Sequence, residues 1–289
     1  MKPVRLSFRA IVVSMAAILM VCLQACNPDD PVIEDDIATA TPVQRAFFSA
    51  WLADCTSDTL LWDSVDLITL GYHHIEGAIQ NEDIKNFYGN FGTKPAWGPA
   101  VKSNTGYMDY VLTDNLMYVL KSTDGNAITY SIGVSGTNMI SYFGWFTEDF
   151  EVQDHKAWDA SDSTKGAIAE GSHIGLNILL NMQDSVTGNG IVDFLSTKVS
   201  DAGTDSTVSI IVSGHSLGGA LAPLLALKLR ENKSLSAANI QTYAFAGPTP
   251  GNVKFATYMV KTLGADNYHA HNNKLDLVPH VWEVDSIDK

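Results

Sequence analysis

Apolar residues in the second half of the chain fall into short blocks separated by polar or glycine-bearing turns, and the blocks alternate in period. Val208, Ile210, Ile211 and Val212 form a β-branched run of the length expected for a buried parallel strand. Gly214-His215-Ser216-Leu217-Gly218 follows, and residues 217–230 continue as an apolar helical segment. The same reading predicts a helix over 164–182, a strand over 240–245, a helix over 253–263 and a strand over 268–271. Upstream it predicts a helix over 43–53, and a hairpin that pairs 116–121 with 127–134 around Asp124-Gly125. Strands alternating with helices specify an α/β fold, a mostly parallel central sheet with helices on both faces. Residues 42–289 carry no internal repeat and no second composition regime, and are long enough for one domain with a large core.

The segment at 214–218 carries the sharpest chemistry. It fits the G-x-S-x-G pattern of a nucleophile elbow, with a strand before it and a helix after it. The two glycines permit a tight corner at which Ser216 adopts a strained conformation with its hydroxyl presented outward. The next amide, Leu217 N–H, opens the helix and points toward an incoming anion, so it suits an oxyanion. The competing reading is a glycine-rich strand-to-helix turn with an inert serine.

The chain's first residues read as a targeting segment. Lys2, Arg5 and Arg9 form a positive region ahead of an apolar stretch at 10–23, too short to span a bilayer comfortably. Leu23-Gln24-Ala25-Cys26 resembles the lipobox of bacterial lipoproteins, in which the cysteine is lipidated and becomes the mature N-terminus. That resemblance implies a signal peptide at 1–25, a lipid on Cys26, and an exported protein anchored to a membrane, the outer membrane or cell surface being the expected place. A plain secretory signal is the alternative. Residues 26–41, with Asp29, Asp30, Glu34, Asp35 and Asp36, read as an acidic tether.

The formal net charge is −14, and loss of the three cationic residues of the signal leaves about −17. Such a charge argues against nucleic acid and against electrostatic docking on anionic lipid. Of the three cysteines, Cys22 is expected in the signal and Cys26 at the lipid site, which leaves Cys55 no second cysteine for an intrachain disulfide; it is expected to be buried on a helix.

Five further segments, in order, carry a wider resemblance: Val134-Ser135-Gly136-Thr137; Trp145 through Phe150; His173-Ile174-Gly175-Leu176; Phe245-Ala246-Gly247-Pro248 with Gly251-Asn252 and Phe255; and Asn273-Lys274-Leu275-Asp276-Leu277-Val278-Pro279. Together with the elbow they resemble the class 3 (fungal-type) lipases of the α/β-hydrolase fold, over residues 132–282. The resemblance implies Ser216 as nucleophile, Asp276 as the acid that orients a catalytic histidine, and Thr137 and Leu217 as the oxyanion donors. It implies an acyl-enzyme route to the cleavage of lipid-like carboxylic esters, with no metal and no organic cofactor. Ser135 departs from the arginine usual at its position.

The histidine is the larger departure. The fold's order is Ser, Asp, His, yet His280 is the only histidine after Asp276 and stands too close to it for the family's loop histidine. His215 reads as packing beside the nucleophile, His271 as core or edge, and His73-His74 as a poor metal pair. Two expectations follow: a histidine beyond Lys289 in a longer chain, or an impaired hydrolase serving as a binding or scaffold protein. Residues 138–150, rich in aromatics, read either as a lid over an apolar pocket or as core under the sheet edge.

Overall fold

The computed structural model describes residues 40–59, 67–89, 91–105, 111–136, 155–276 and 278–280. The signal, Cys26 and most of the tether lie outside the described residues, as do Thr137 and the aromatic segment 138–150. In chain order the elements are α1 (Pro42–Thr59), α2 (Leu67–Gln80), α3 (Glu82–Tyr88), β1 (Lys94–Thr105), β2 (Val111–Asp124), β3 (Ala127–Val134), β4 (His155–Ala157), β5 (Ala167–Ala169), α4 (Glu170–Asn181), α5 (Ile191–Ala202), β6 (Thr207–His215), α6 (Leu217–Glu231), β7 (Asn239–Phe245), α7 (Val253–Leu263) and β8 (Tyr268–His271).

The main sheet has the order β1-β2-β3-β6-β7-β8. Its first two pairings are antiparallel and the remaining three, β3 with β6, β6 with β7 and β7 with β8, are parallel. β4 and β5 form a separate two-stranded ribbon. Side chains alternate across the sheet, as the two-residue period of a strand requires. Met117 and Val119 of β2 join Tyr130, Ile132, Ile210 and Val212 in the core under α4–α7. Leu116, Tyr118 and Leu120 turn the other way, against Phe48, Leu52, Ile75 and Tyr88 of α1–α3. Both faces of the sheet are therefore covered.

Helix α7 forms where its pattern says it should: Phe255, Met259 and Leu263 lie on one buried face, and Asn252 caps its start by accepting from Phe255 N at 3.0 Å. The helix expected from 164 begins only at Glu170. Gly166 adopts φ 74°, and Ala167–Ala169 pairs with His155–Ala157 instead of continuing a helix. Cys55 sits on α1 as expected but is partly exposed, not buried.

The parallel register fixes where chemistry can occur. Val134 lies beside Gly214, His215 beside Phe245, and Phe245 beside His271. Four strands thus end in one row, and the segments beyond that row share the carboxyl edge of the sheet, where open α/β sheets place their sites.

Candidate active site

At the end of β6 the backbone reverses into α6 at Ser216, whose φ is 54° and ψ −125°. A non-glycine residue rarely occupies that conformation, and it persists here because the corner is held on both sides. Ser216 N donates to Phe245 O at 3.0 Å, and Gly219 N donates to Ser216 O at 2.9 Å. Gly214 and Gly218 meet backbone to backbone, and Gly218 lies against the Val134 carbonyl, leaving no room for a side chain at either position. Ser216 is half-buried, and its side chain makes no capping hydrogen bond. Leu217 is the first residue of α6, so its N–H has no acceptor within the helix.

The end of β3 reaches the same corner. Ser135, in the place of the usual arginine, is fully buried and extends the β2–β3 ladder. Its N–H donates to Leu116 O at 2.9 Å, and its Oγ accepts from Leu116 N at 2.8 Å. A methyl group placed on Gly136 would lie 3.3 Å from the His215 carbonyl oxygen and 3.6 Å from the Leu217 nitrogen. The residue before Thr137 is thereby packed against the amide expected to share an oxyanion with it, while Thr137 itself lies outside the described residues.

Asp276 follows β8 in a turn. Its N–H donates to Asn273 O at 3.0 Å, and its Oδ1 accepts from Val278 N at 2.9 Å. The segment is tied back by Thr249 Oγ1, which donates to Pro279 O at 2.9 Å. Asp276 is half-buried, and its charge acts on His215. The hydrogen bonds of His74, His173 and His215 run to Thr56, Asn177 and Asp54, so none of these three rings is paired with Ser216 or Asp276. His269 and His271 stack on Tyr243 and Phe245, with ring centroids 4.4 Å and 5.2 Å apart. His280 ends a short 3₁₀ turn, Val278–His280. Among the described residues no group of three or more His, Cys, Asp or Glu side chains is arranged to hold a metal ion.

One residue of the site has no counterpart in the sequence reading. Asp54, on α1, accepts from Gly136 N at 2.8 Å through Oδ1, and its Oδ2 lies 2.9 Å from His215 Nδ1. That hydrogen bond, more than burial or any other charge, holds the imidazole above its ordinary value of 6.5; burial opposes it, and the charges of Asp54 and Asp276 assist. The available signal is periodic. Asp54 stands four residues after Ala50 and eight after Ala46, both buried, so a carboxylate occupies the helix face turned toward the sheet.

Known proteins resemble this chain in sequence and in fold. The family model described as Lipase (class 3) matches residues 132–285. A lipase of Rhizomucor miehei is 41% identical over 73 residues, which cover 25% of this chain and 20% of that protein. The chloroplastic phospholipase A1-Igamma2 of Arabidopsis thaliana is 24% identical over 284 residues, covering 88% of this chain and 50% of the plant protein. The matches thus span from a fifth to a half of these relatives' lengths. Among solved structures, the M37 lipase has a TM-score of 0.68 at 26% identity, covering 86% of this chain and 72% of that one. Lipase II from Rhizopus niveus has a TM-score of 0.51 at 19% identity, covering 86% and 78%, a likeness of fold alone. The family model takes in more than half of the chain, from inside β3 to the segment past Asp276, and the chain belongs to the class 3 lipases of the α/β-hydrolase fold.

Proposed function

We propose that this protein hydrolyses carboxylic esters of lipids through an acyl-enzyme on Ser216. The observation that carries the reading is the corner itself. A serine is held at φ 54°, half-exposed, with the Leu217 N–H at the start of α6 and the Gly136 backbone beside it. In the proposed reaction Ser216 Oγ loses its proton to a base and attacks the ester carbonyl carbon. The negative charge that develops on the carbonyl oxygen is met by the N–H groups of Leu217 and Thr137. Each such donor is typically worth about 10²–10³ in rate. The alcohol leaves with a proton, and water then cleaves the acyl-enzyme to release the acid and restore the serine. Asp276 is the acid that orients the base, a histidine in this class of site. Lipid esters are favoured as substrate by membership of a lipase family and by relatives named as lipases and a phospholipase.

A lipid on Cys26 would hold the domain at a membrane, and export to the outer membrane or cell surface fits the acidic segment that follows it. Among the described residues no helix is long and apolar enough to cross a membrane. Labelling of Cys26 by a fatty-acid analogue in cells, lost in Cys26→Ala, supports the anchor; labelling that persists refutes it.

A fluorophosphonate probe tests the chemistry, because it reacts only with an activated serine. Labelling of the purified chain that disappears in Ser216→Ala is the expected result. Absence of labelling, together with retained binding of a lipid ester, would instead assign a binding protein on the same fold. The hydrogen bonds of His74, His173 and His215, which go elsewhere, favour that second reading.

A further inference from the structure

We propose that Asp54 is a positioning residue whose carboxylate, bonded at once to Gly136 N–H and to the imidazole of His215, sets the separation between the nucleophile corner and the oxyanion loop. The inference rests on the reading of Ser216 as the nucleophile. The two bonds, at 2.8 Å and 2.9 Å, come from different oxygens of one side chain. Each bonded residue immediately precedes a residue of the proposed chemistry: Gly136 precedes Thr137, and His215 precedes Ser216. The elbow and the β3 loop leave paired strands whose ladder ends at Val134 beside Gly214, and beyond that ladder they are joined by packing of Gly136 on the 215–217 backbone. A carboxylate that bridges them from a third element turns a van der Waals contact into a fixed distance. A displacement of about 1 Å between nucleophile and oxyanion donors is enough to cost on the order of 10² in rate.

The chemistry of the bridge gives it a testable signature. With a carboxylate, His215 Nδ1–H donates whether the ring is neutral or charged, so both bonds survive its titration. With an amide at position 54, the carbonyl oxygen still accepts from Gly136 and the amide N–H₂ donates to an unprotonated Nδ1, which requires neutral His215. Protonation then sets two donors against each other and breaks the bridge. The charged groups acting on His215 are Asp54 from α1 and Asp276 after β8. The flanking strands β3 and β7 carry only Tyr130 and Tyr243 as titratable side chains, and the opening of α6, Leu217 to Pro223, carries none.

The test uses the full chain with Asp54→Ala and Asp54→Asn. The fluorophosphonate reaction rate at Ser216 is measured from pH 5.5 to 9, and amide exchange at Gly136 and residues 215–217 is followed in parallel. Asp54→Ala is expected to slow labelling by about 10- to 100-fold at every pH and to raise exchange at Gly136. Asp54→Asn is expected to recover most of that loss at pH 9 and to lose it, relative to the wild type, as pH falls through the titration of His215. Wild-type labelling rates in Asp54→Ala, or a ratio of Asp54→Asn to wild type that does not change with pH, overturn the proposal. If the wild type itself is not labelled, the hydrolase reading fails and exchange decides the bridge alone. Unchanged protection at Gly136 in Asp54→Ala then refutes it, and lost protection confined to Gly136 and 215–217 upholds it.

Discussion

Ser216→Gly is expected to inactivate the protein and to make it more stable. Ser216 sits at φ 54°, ψ −125°, a region in which a Cβ is crowded by its own backbone. Holding a non-glycine residue in such a region costs about 1–3 kcal/mol. Glycine removes that cost but has more freedom to lose on folding, about 0.5–1 kcal/mol relative to alanine. The difference favours glycine by about 1 kcal/mol, which in a domain of this size moves the thermal midpoint up by about 2–4 °C. Ser216→Ala is the necessary control. It deletes the hydroxyl, whose loss from a half-exposed side chain without a capping bond falls within about 0.5 kcal/mol, and it keeps the strain. Urea unfolding and calorimetry on wild type, Ser216→Ala and Ser216→Gly separate the two effects, since all three share one unfolded surface and one m-value. The expected order is glycine above alanine and serine, with the last two together. If alanine equals or exceeds glycine, the corner stores no strain at residue 216, and the claim that the fold holds the serine in place against its own preference is wrong.

Three other perturbations follow from the same contacts. Gly218→Ala places a methyl 2.9 Å from the Ser135 carbonyl carbon and 3.0 Å from Gly136 N, all rigid backbone. It is expected to lower stability by about 1–3 kcal/mol and to slow Ser216 labelling, both read on one purified variant. Asp184, buried in the turn between α4 and α5, accepts from Gly98 N of β1 at 3.1 Å and from Thr187 N and Oγ1 at 2.8 Å. Thr187 is exposed and finds water when released, while the half-buried Gly98 N–H loses a charged acceptor, so Asp184→Ala is expected to cost about 1.5–3 kcal/mol by urea titration. His215 is held above 6.5 in the folded chain mainly by its bond to Asp54. The stability it contributes is full below about pH 6.5 and disappears as pH rises through its raised midpoint. The thermal midpoint of wild type minus that of Asp54→Asn is therefore larger at pH 5.5–6 than at pH 9, and a constant difference would contradict the pairing.

The corner at 207–231 is legible in sequence because three local signals agree there: a β-branched run, paired glycines and a long apolar segment that stays helical through Pro223. α7 is legible for a similar reason, with its apolar stripe and its capping Asn252 marking the same start. Other elements hide. α5 buries Ile191, Phe194, Leu195 and Val199 at helical spacing, but it is built from Val, Ser, Thr and Asp, which favour helix weakly, and tertiary packing supplies the rest. The segment 164–169 misleads in the other direction. Its composition suits a helix, and only the positive φ of Gly166 and the pairing with β4 prevent one. Ser135 looks like a lost arginine in sequence, yet its hydroxyl joins the β2 backbone and closes the same strand end. Asp54 is the least legible, because its two partners lie 82 and 161 residues away and only the folded sheet brings them to one carboxylate.

The reach of Asp54 depends on how closely α1 approaches the sheet, and small residues decide that. Ala46 and Ala50 lie against Tyr243 and Phe245 of β7. At Gly133 a methyl group would fall 2.5 Å from the Ser49 carbonyl and 2.7 Å from the Tyr118 ring, so helix backbone rests nearly on strand backbone. Tyr118 fastens the contact by donating from its buried hydroxyl to Ser49 O at 2.7 Å. With the helix axis fixed at that height, the position eight residues beyond Ala46 overhangs the ends of β3 and β6, where a side chain as short as aspartate spans the gap. Glutamate there would overshoot by one methylene, and a bulkier residue at 46 or 50 would lift the carboxylate away. The family match begins at residue 132, inside β3, yet the wall that braces the corner is contributed by α1, upstream of it. A piece starting at β3 would bare Tyr243 and Phe245 to water and leave Gly136 N–H and His215 without their shared partner. The corner at Ser216 is therefore a property of the sheet with α1 packed on it, not of the matched segment alone.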